Sequence, residues 1–443
     1  MGKLFFLTFL VAAAFASIAK PWIGVVVSYL FALLTPQAIW YWNFEGLRPV
    51  FWVTIPTLLG FVIAAMRGKY SSATLLNARS GWVLVLWLCY VMSYVFGGYV
   101  DTVSEYRFTD PAWAMDLVNK MLLLYFLAAV CIDSEKKLRV LVYMFAGSAV
   151  YLIYWANNMY LAGWVVGRMA GPVDQYGVGT YADENMFALL FVVAQPFLWY
   201  LGHDATSKWT RWCFWLAIPF GWHAVFLTAS RGGLVGLLVV TLLMTLRTKR
   251  RFLALLLIPA FLIAYEWQAG DLMKSRADSI EEYQTEDAAS GRLKAWEAAL
   301  RMIRDNPAIG VGLGSFGPAF PHYSNERPRE AHNTFLHIAA ESGLVAGAVY
   351  LLLMVSTLTG LWRNGKRLRR DPALGPRSFL YQVNEAVFTA WAGFTTCALF
   401  LSLQLFEIGY FLLLVSSVVL FLSETSRVAR PVPVKLEGQG VAA

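Results

Sequence analysis

Apolar stretches close to bilayer-crossing length recur along almost the whole chain. They lie near 4–19, 21–34, 51–66, 82–97, 116–132, 139–157, 185–202, 211–227, 232–246, 252–268, 333–361, 384–405 and 408–423. A helix needs about 20 apolar residues to cross the hydrocarbon core. Backbone placed there must satisfy its own hydrogen bonds, which at these lengths leaves helices. The chain is therefore read as an all-α, polytopic integral membrane protein with about 12 transmembrane helices and one large periplasmic loop containing an amphipathic helix. Composition agrees: 58% of the 443 residues are apolar and only 14% charged, against about 25% charged in soluble domains. A secreted globular enzyme, a disordered chain and a disulfide scaffold are excluded. The four cysteines sit in or beside apolar blocks without CxxC spacing and read as small core residues.

Lysine and arginine sort the loops. Loops 67–81, 133–139, 203–211, 247–251 and 362–378 and the tail 424–443 carry 21 of them; the intervening short loops 35–50, 98–115, 158–184, 228–231 and 404–409 carry 4. The positive-inside rule makes the first set cytoplasmic, so the net charge of +8 needs no nucleic acid. Segment 269–330 then faces the periplasm. The expected units are N-terminal transmembrane helices over 1–268, the periplasmic loop over 269–331, C-terminal transmembrane helices over 332–424 and a cytoplasmic tail over 425–443. At the amino end, two full spans before loop 35–50 would leave Lys3 outside. Residues 4–34 are thus read as one broken element, or as a pair of which one piece does not cross; a signal peptide over 4–19 is the weaker reading.

Within the outer loop, Ser290 is placed to cap a helix starting at Gly291. Leu293, Trp296, Leu300 and Ile303 follow at helical spacing, as in an amphipathic helix lying on the membrane surface or on the bundle. Gly310, Gly312 and Gly314 suit a tight turn or a close approach of backbone to a ligand.

Charged groups at membrane depth are costly and usually functional. Arg231, in Thr228-Ala229-Ser230-Arg231-Gly232-Gly233, lies between two spans at the outer mouth of the bundle; a snorkelling arginine is the plainer alternative. His332 opens the span after the outer loop, and imidazole is the usual general base near neutral pH. A backbone-satisfied interfacial histidine is equally open on residue type. His337, on a different helical face, reads as structural. Arg292 and Arg168 belong to the same outer side, where residue type alone favours solvated charges. Asp183 and Glu184 begin a span, and one of them is expected simply to favour the helix start. Glu341, the one acid in span 333–361, either partners an arginine, orients an acceptor or forms a buried structural pair. His203, His223 and His322 show no metal spacing. P-loop, zinc, GxSxG and dinucleotide motifs are absent.

Taken in order, four motifs resemble the O-antigen ligase and polymerase superfamily over roughly residues 165–360. They are Ser230-Arg231-Gly232-Gly233; Ser290-Gly291-Arg292 with Trp296; Asn306-Pro307 with Gly310-Val311-Gly312-Leu313-Gly314; and His332-Asn333 with Glu341-Ser342-Gly343-Leu344. The family pattern of His, then Asn, Ser or Gln, nine residues and Gly fits His332, Asn333 and Gly343. Its last glycine is displaced, with Ala346 followed by Gly347. Lys20-Pro21-Trp22-Ile23-Gly24 and Tyr181-Ala182-Asp183-Glu184-Asn185 are similar to exosortase-associated O-glycosylation ligases.

The resemblance implies an enzyme of the bacterial inner membrane, multi-pass, with its active site facing the periplasm. Such an enzyme moves a glycan en bloc from a polyprenyl-diphosphate-linked donor to an acceptor hydroxyl on lipid A–core, another lipid or a protein. It implies no cofactor, no metal and no nucleic acid, with membrane lipids as surroundings. His332 is the implied base. Arg231 and Arg292, with Arg168, would hold the diphosphate, and Asn333, Glu341 and Asp183 would support the acceptor side. An O-antigen or exopolysaccharide polymerase shares these motifs. A transporter or flippase often shows repeats and midplane acids; here no repeat is found, midplane charges are few and the candidate residues cluster at the outer face. An envelope-assembly scaffold would make the motifs structural.

Overall fold

The computed structural model describes residues 2–40, 42, 47–75, 77–102, 109–165, 167–174, 177, 179–247, 259, 263, 284–372 and 374–428. All the regular structure among them is helical. The long helices are α1 (Gly2–Ala19), α2 (Pro21–Leu34), α3 (Pro49–Met66), α4 (Ala78–Phe96), α5 (Pro111–Cys131), α6 (Glu135–Leu161) and α7 (Glu184–Asp204), then α8 (Lys208–Thr228), α9 (Arg231–Arg247), α10 (Gln284–Asp305), α11 (Thr334–Arg370), α12 (Phe379–Ala398) and α13 (Glu407–Val428). Eight of the described helices are long and apolar enough to cross a membrane, and the protein is a polytopic membrane protein. The expected span over 252–268, the loop start over 269–283 and the tail beyond 428 lie outside the described residues, apart from 259 and 263.

Burial sorts the helices by position. In α7, 83% of the apolar window is buried, against 28% in α3 and in α4. Helix α7 is apolar around its whole circumference and packs on α6, α8, α9 and α12, as a central helix must. Helix α3 instead exposes Phe51, Trp52, Ile55, Leu59 and Val62. That stripe at helical spacing suits hydrocarbon. Residues 4–34 are not one broken element: Lys20-Pro21 separates α1 from α2, and Phe6 meets Phe31 with ring centroids 5.6 Å apart. The two helices form an antiparallel hairpin packed on α3. Of the cysteines, Cys131 and Cys397 are buried and Cys89 is half-buried. Cys213 is exposed on α8 and is not a core residue.

The basic loops gather at one end of the bundle. Arg139 pairs with Asp204 and stands over the Phe379 ring, Lys137 stands over Tyr70, and Arg247 pairs with Glu385. The starts of α7, α9 and α11 lie at the other end.

One apolar block is not helical where expected. Helix α12 stops at Ala398, and Leu399–Phe406 is a loop. Its backbone is satisfied from α11. Asn333 Nδ2 donates to Leu399 O at 3.3 Å and Thr334 Oγ1 to Leu401 O at 2.6 Å, while Leu403 N–H donates to Thr334 Oγ1 at 3.0 Å. Helix-start polar groups thereby replace the helical bonds that this loop forgoes.

Helix α10 also departs from the expectation. It begins at Gln284, so Ser290 and Gly291 lie inside it and neither starts it. Its packed face is Ala295, Ala298, Ala299 and Met302, while Leu293 and Leu300 are exposed. Small residues bring the helix close to Val311, Phe316, Phe320, Ala331 and Ala340 in a second, outer core.

Helix α11 is unwound at Gly343 (φ 86, ψ 167). The glycine-rich segment before it closes the gap. Val311 N–H donates to Ala340 O at 2.9 Å, Gly312 N–H to Glu341 O at 3.0 Å, and Leu344 N–H to Pro307 O at 2.8 Å. Gly310 has φ 75, and a Cβ there would sit 2.3 Å from the Glu341 carbonyl. The close backbone approach expected of these glycines is thus to α11.

Candidate active site

Three helix starts converge at the non-basic end, each capped by its own side chain. Asp183 Oδ1 accepts from Asn185 N–H at 2.8 Å and Met186 N–H at 3.0 Å, opening α7. Ser230 Oγ accepts from Gly233 N–H at 3.1 Å, opening α9. Asn333 Oδ1 accepts from Phe335 and Leu336 N–H, both at 3.1 Å, opening α11. Helix starts carry partial positive charge.

Asn185 ties two of these starts together. Its Oδ1 accepts from Ser230 Oγ at 2.8 Å and from Arg168 Nη2 at 3.2 Å. Arg168 Nε also donates to Thr228 O at 3.1 Å, and Nη1 lies 3.6 Å from Glu184 Oε2. The Arg168 guanidinium is therefore held by three protein groups. Of the acidic pair, Asp183 caps the helix and Glu184 neutralises part of Arg168. Asn185 is a site residue that sequence reasoning passed over. Its signal was the polar run Asp183-Glu184-Asn185 at the head of a wholly apolar helix.

Arg231 is the first residue of α9 and is exposed; Arg292 is half-buried on α10. Neither guanidinium has a hydrogen-bond or ion-pair partner among the described residues. Burial, then Arg231, then Arg168, lower the pKa of the Arg292 guanidinium from its ordinary value. The three arginines thus lie within electrostatic reach of one another, although they are far apart in sequence. Arginine keeps its proton in such surroundings, so the cluster presents concentrated positive charge with two free forks.

His332 lies in the same field. Its ring is half-buried, and burial lowers its pKa below the usual imidazole value; Arg292 and His337 lower it further, while Glu330 and Asp183 oppose. The net direction favours the neutral imidazole, the form that can act as a base. The backbone at His332 is left-handed, φ 46, which costs a non-glycine residue about 1–2 kcal/mol. Two flanking contacts hold it there. Trp296 Nε1 donates to Ala331 O at 2.8 Å, and Asn333 caps α11 and reaches the Leu399 carbonyl.

Glu341 does not partner an arginine. Its Oε1 lies 3.2 Å from His337 Nε2 and accepts the Phe316 N–H at 3.1 Å. His337 Nδ1 lies 2.9 Å from Ser402 Oγ, and the Phe316 ring stacks on the imidazole at 4.9 Å. Both side chains are almost fully buried. The pair joins α11 to the glycine-rich segment and to the Leu399–Phe406 loop. Among the described residues no three His, Cys, Asp or Glu side chains converge as a metal site would need.

Arg168, Arg231, Arg292, His332 and Asp183 are therefore brought together. Asn333 adjoins them as a cap, and Glu341 lies behind as structural support. Residues 212–351 match the family model described as O-antigen ligase. The matched stretch holds Arg231, Arg292, His332 and the Gly343 break. It supports the O-antigen ligase superfamily and, in general, a ligase-type, glycan-transferring function. No curated protein matches the chain.

Proposed function

We propose, from the premise that residues 212–351 are of O-antigen ligase type, that this chain moves a polyprenyl-diphosphate-linked glycan en bloc onto an acceptor hydroxyl. The reaction takes place at the periplasmic face of a bacterial inner membrane. The observation that carries this reading is the gathering of Arg231 and Arg292, without partners among the described residues, beside His332 at one end of the bundle. His332 takes the proton of the acceptor hydroxyl. The hydroxyl oxygen then bonds to the anomeric carbon as that carbon's bond to the diphosphate breaks, with inversion. Arg231 and Arg292 stabilise the charge that develops on the departing diphosphate, and bidentate guanidinium–phosphate contacts orient it. Arg168, held by Asn185, Glu184 and the Thr228 carbonyl, adds field and keeps the α7 and α9 starts in register. The arginines replace a metal in this scheme, so chelators leave transfer intact; inhibition reversed by a divalent cation would refute that part.

The test is glycan profiling of a deletion strain complemented with wild type or His332→Ala. A ligase leaves finished polymer unattached on its lipid carrier in the deletion strain, and only wild type restores attachment. Equal rescue by both would refute His332 as base. Single-unit glycan still attached to its acceptor would indicate a polymerase.

A further inference from the structure

Arg79 lies near the start of α4, at the basic end of the bundle and at the far end of α11 from His332. It shares the inward face of α4 with Val83, Leu86 and Tyr90, all buried, at helical spacing. A Cβ on Gly360 of α11 would fall 3.5 Å from Arg79 Nη1 and 3.6 Å from Leu420 Cδ1 of α13. The guanidinium thus sits in a crevice where α4, α11 and α13 meet. Arg79 is half-buried. Its Nε is enclosed without a hydrogen-bond partner, and the side chain forms no hydrogen bond or ion pair among the described residues. The neighbouring polar groups do not compensate it. The Thr74 and Thr357 hydroxyls are themselves buried without partners. Tyr125, within electrostatic reach of Arg79, keeps its hydroxyl 3.4 Å from Ser417 Oγ. Glu424, one turn past Leu420 on α13, is exposed and forms no ion pair among the described residues.

A half-buried guanidinium without a counter-charge is costly unless a ligand supplies one. The surroundings say what kind. Trp82, one turn after Arg79, and Trp362, two residues after Gly360, are both exposed, and tryptophans on membrane helices mark the headgroup level. Arg363 and Arg367 lie one and two turns past Gly360 on its own face of α11, both exposed, so positive charge continues toward the mouth of the crevice. Lys366 stands over the Trp362 ring at 3.4 Å. A basic crevice between membrane helices at headgroup depth is the chemistry that recognises an anionic lipid. We infer that Arg79 anchors a binding site for an anionic phospholipid, its fork taking phosphate oxygens between α4 and α11, and that Gly360 keeps the crevice open. The site is separate from the one at the starts of α7, α9 and α11, and the inference does not depend on the chemistry of the glycan donor. A headgroup held there clamps α4 to α11 at the end of the bundle opposite the candidate active site.

The experiment titrates the full chain in non-ionic detergent with dioctanoyl phosphatidylglycerol, with dioctanoyl phosphatidylcholine and inorganic phosphate as separate arms, and reads binding by calorimetry. Phosphatidylglycerol is expected to bind more tightly than either. Arg79→Gln is expected to weaken it about tenfold, the scale of one charged hydrogen bond, and Arg79→Lys to recover part of the loss because charge remains but the fork does not. Gly360→Leu is expected to weaken binding similarly while keeping every charge. Gly360→Ala, whose Cβ makes only ordinary contacts, should bind as wild type does. Leucine and alanine both favour a helix interior over glycine, so this pair decides the matter where Arg79→Gln lowers thermal stability. Farnesyl diphosphate, a soluble isoprenyl diphosphate, probes the other end of the bundle, and its affinity should be the same in all four variants as in wild type. Phosphatidylglycerol binding unchanged in both Arg79→Gln and Gly360→Leu would overturn the inference. Equal binding of phosphatidylcholine, or displacement of phosphatidylglycerol by an equal concentration of inorganic phosphate, would overturn the anionic lipid as ligand. A parallel loss of farnesyl diphosphate binding would overturn the separateness of the two sites.

Discussion

The Trp296 indole N–H donates a 2.8 Å hydrogen bond to the carbonyl of Ala331, the residue before His332. Helix α10 therefore carries Arg292 and also sets the backbone of the base proposed to act beside it. One hydrogen bond is worth about 1 kcal/mol net. Trp296→Phe keeps the packing and removes the donor. Turnover is expected to fall about fivefold to tenfold, with farnesyl diphosphate affinity unchanged. An equal loss in affinity would mean that Trp296 supports the whole helix and not the base.

The pH dependence of transfer should report His332. Arg292 lowers its pKa and Glu330 raises it. A base works when deprotonated, so the acid limb of the rate profile follows this pKa. Arg292→Gln should move the limb to higher pH and Glu330→Gln to lower pH. Shifts of the same sign in both variants would exclude His332 as the group that titrates.

Arg231→Lys keeps a charge but replaces a planar fork with a point. If the fork grips diphosphate oxygens as the bond breaks, transfer should fall about 10²-fold, the scale of losing one preorganised donor. A rate within twofold of wild type, measured with saturating donor, would leave Arg231 only an electrostatic role.

Stability should respond at Gly310, where a Cβ would meet the Glu341 carbonyl at 2.3 Å and φ is 75. Gly310→Ala is expected to cost roughly 2 kcal/mol or more, from strain plus overpacking. The melting temperature in detergent reads this directly. A melting temperature equal to that of wild type would show that α11 and the glycine segment do not touch as described.

Much of the fold was legible because apolar run length is a local property. Residues 21–34 were read with the boundaries that α2 has, and the charge count divided the loops as the bundle ends do. The Leu399–Phe406 loop was not legible. Its composition is that of a span, and the groups that satisfy its backbone sit on Asn333 and Thr334, some 65 residues earlier. The face that α10 turns to the bundle was not legible for a related reason. Large apolar residues signal burial on average, but close packing at this helix favoured alanines and left Leu293 and Leu300 outside. Arg231 stood out by residue type and place, whereas Arg292 and His332 were singled out only through the ordered motifs around them. Asn185 did not stand out, because its significance comes from an amide oxygen shared by Ser230 and Arg168.

The break at Gly343 also bears on modularity. The carbonyls of Ala340 and Glu341 and the amide of Leu344 bond to residues 307–312 and Ser93. The outer segment is thus a structural component of the membrane helix that follows it. Chimaeras that exchange this segment between related chains by splicing just before His332 would graft foreign partners onto an unwound helix. Such exchanges should succeed only where the cut lies beyond Leu344, so that helix and segment travel together.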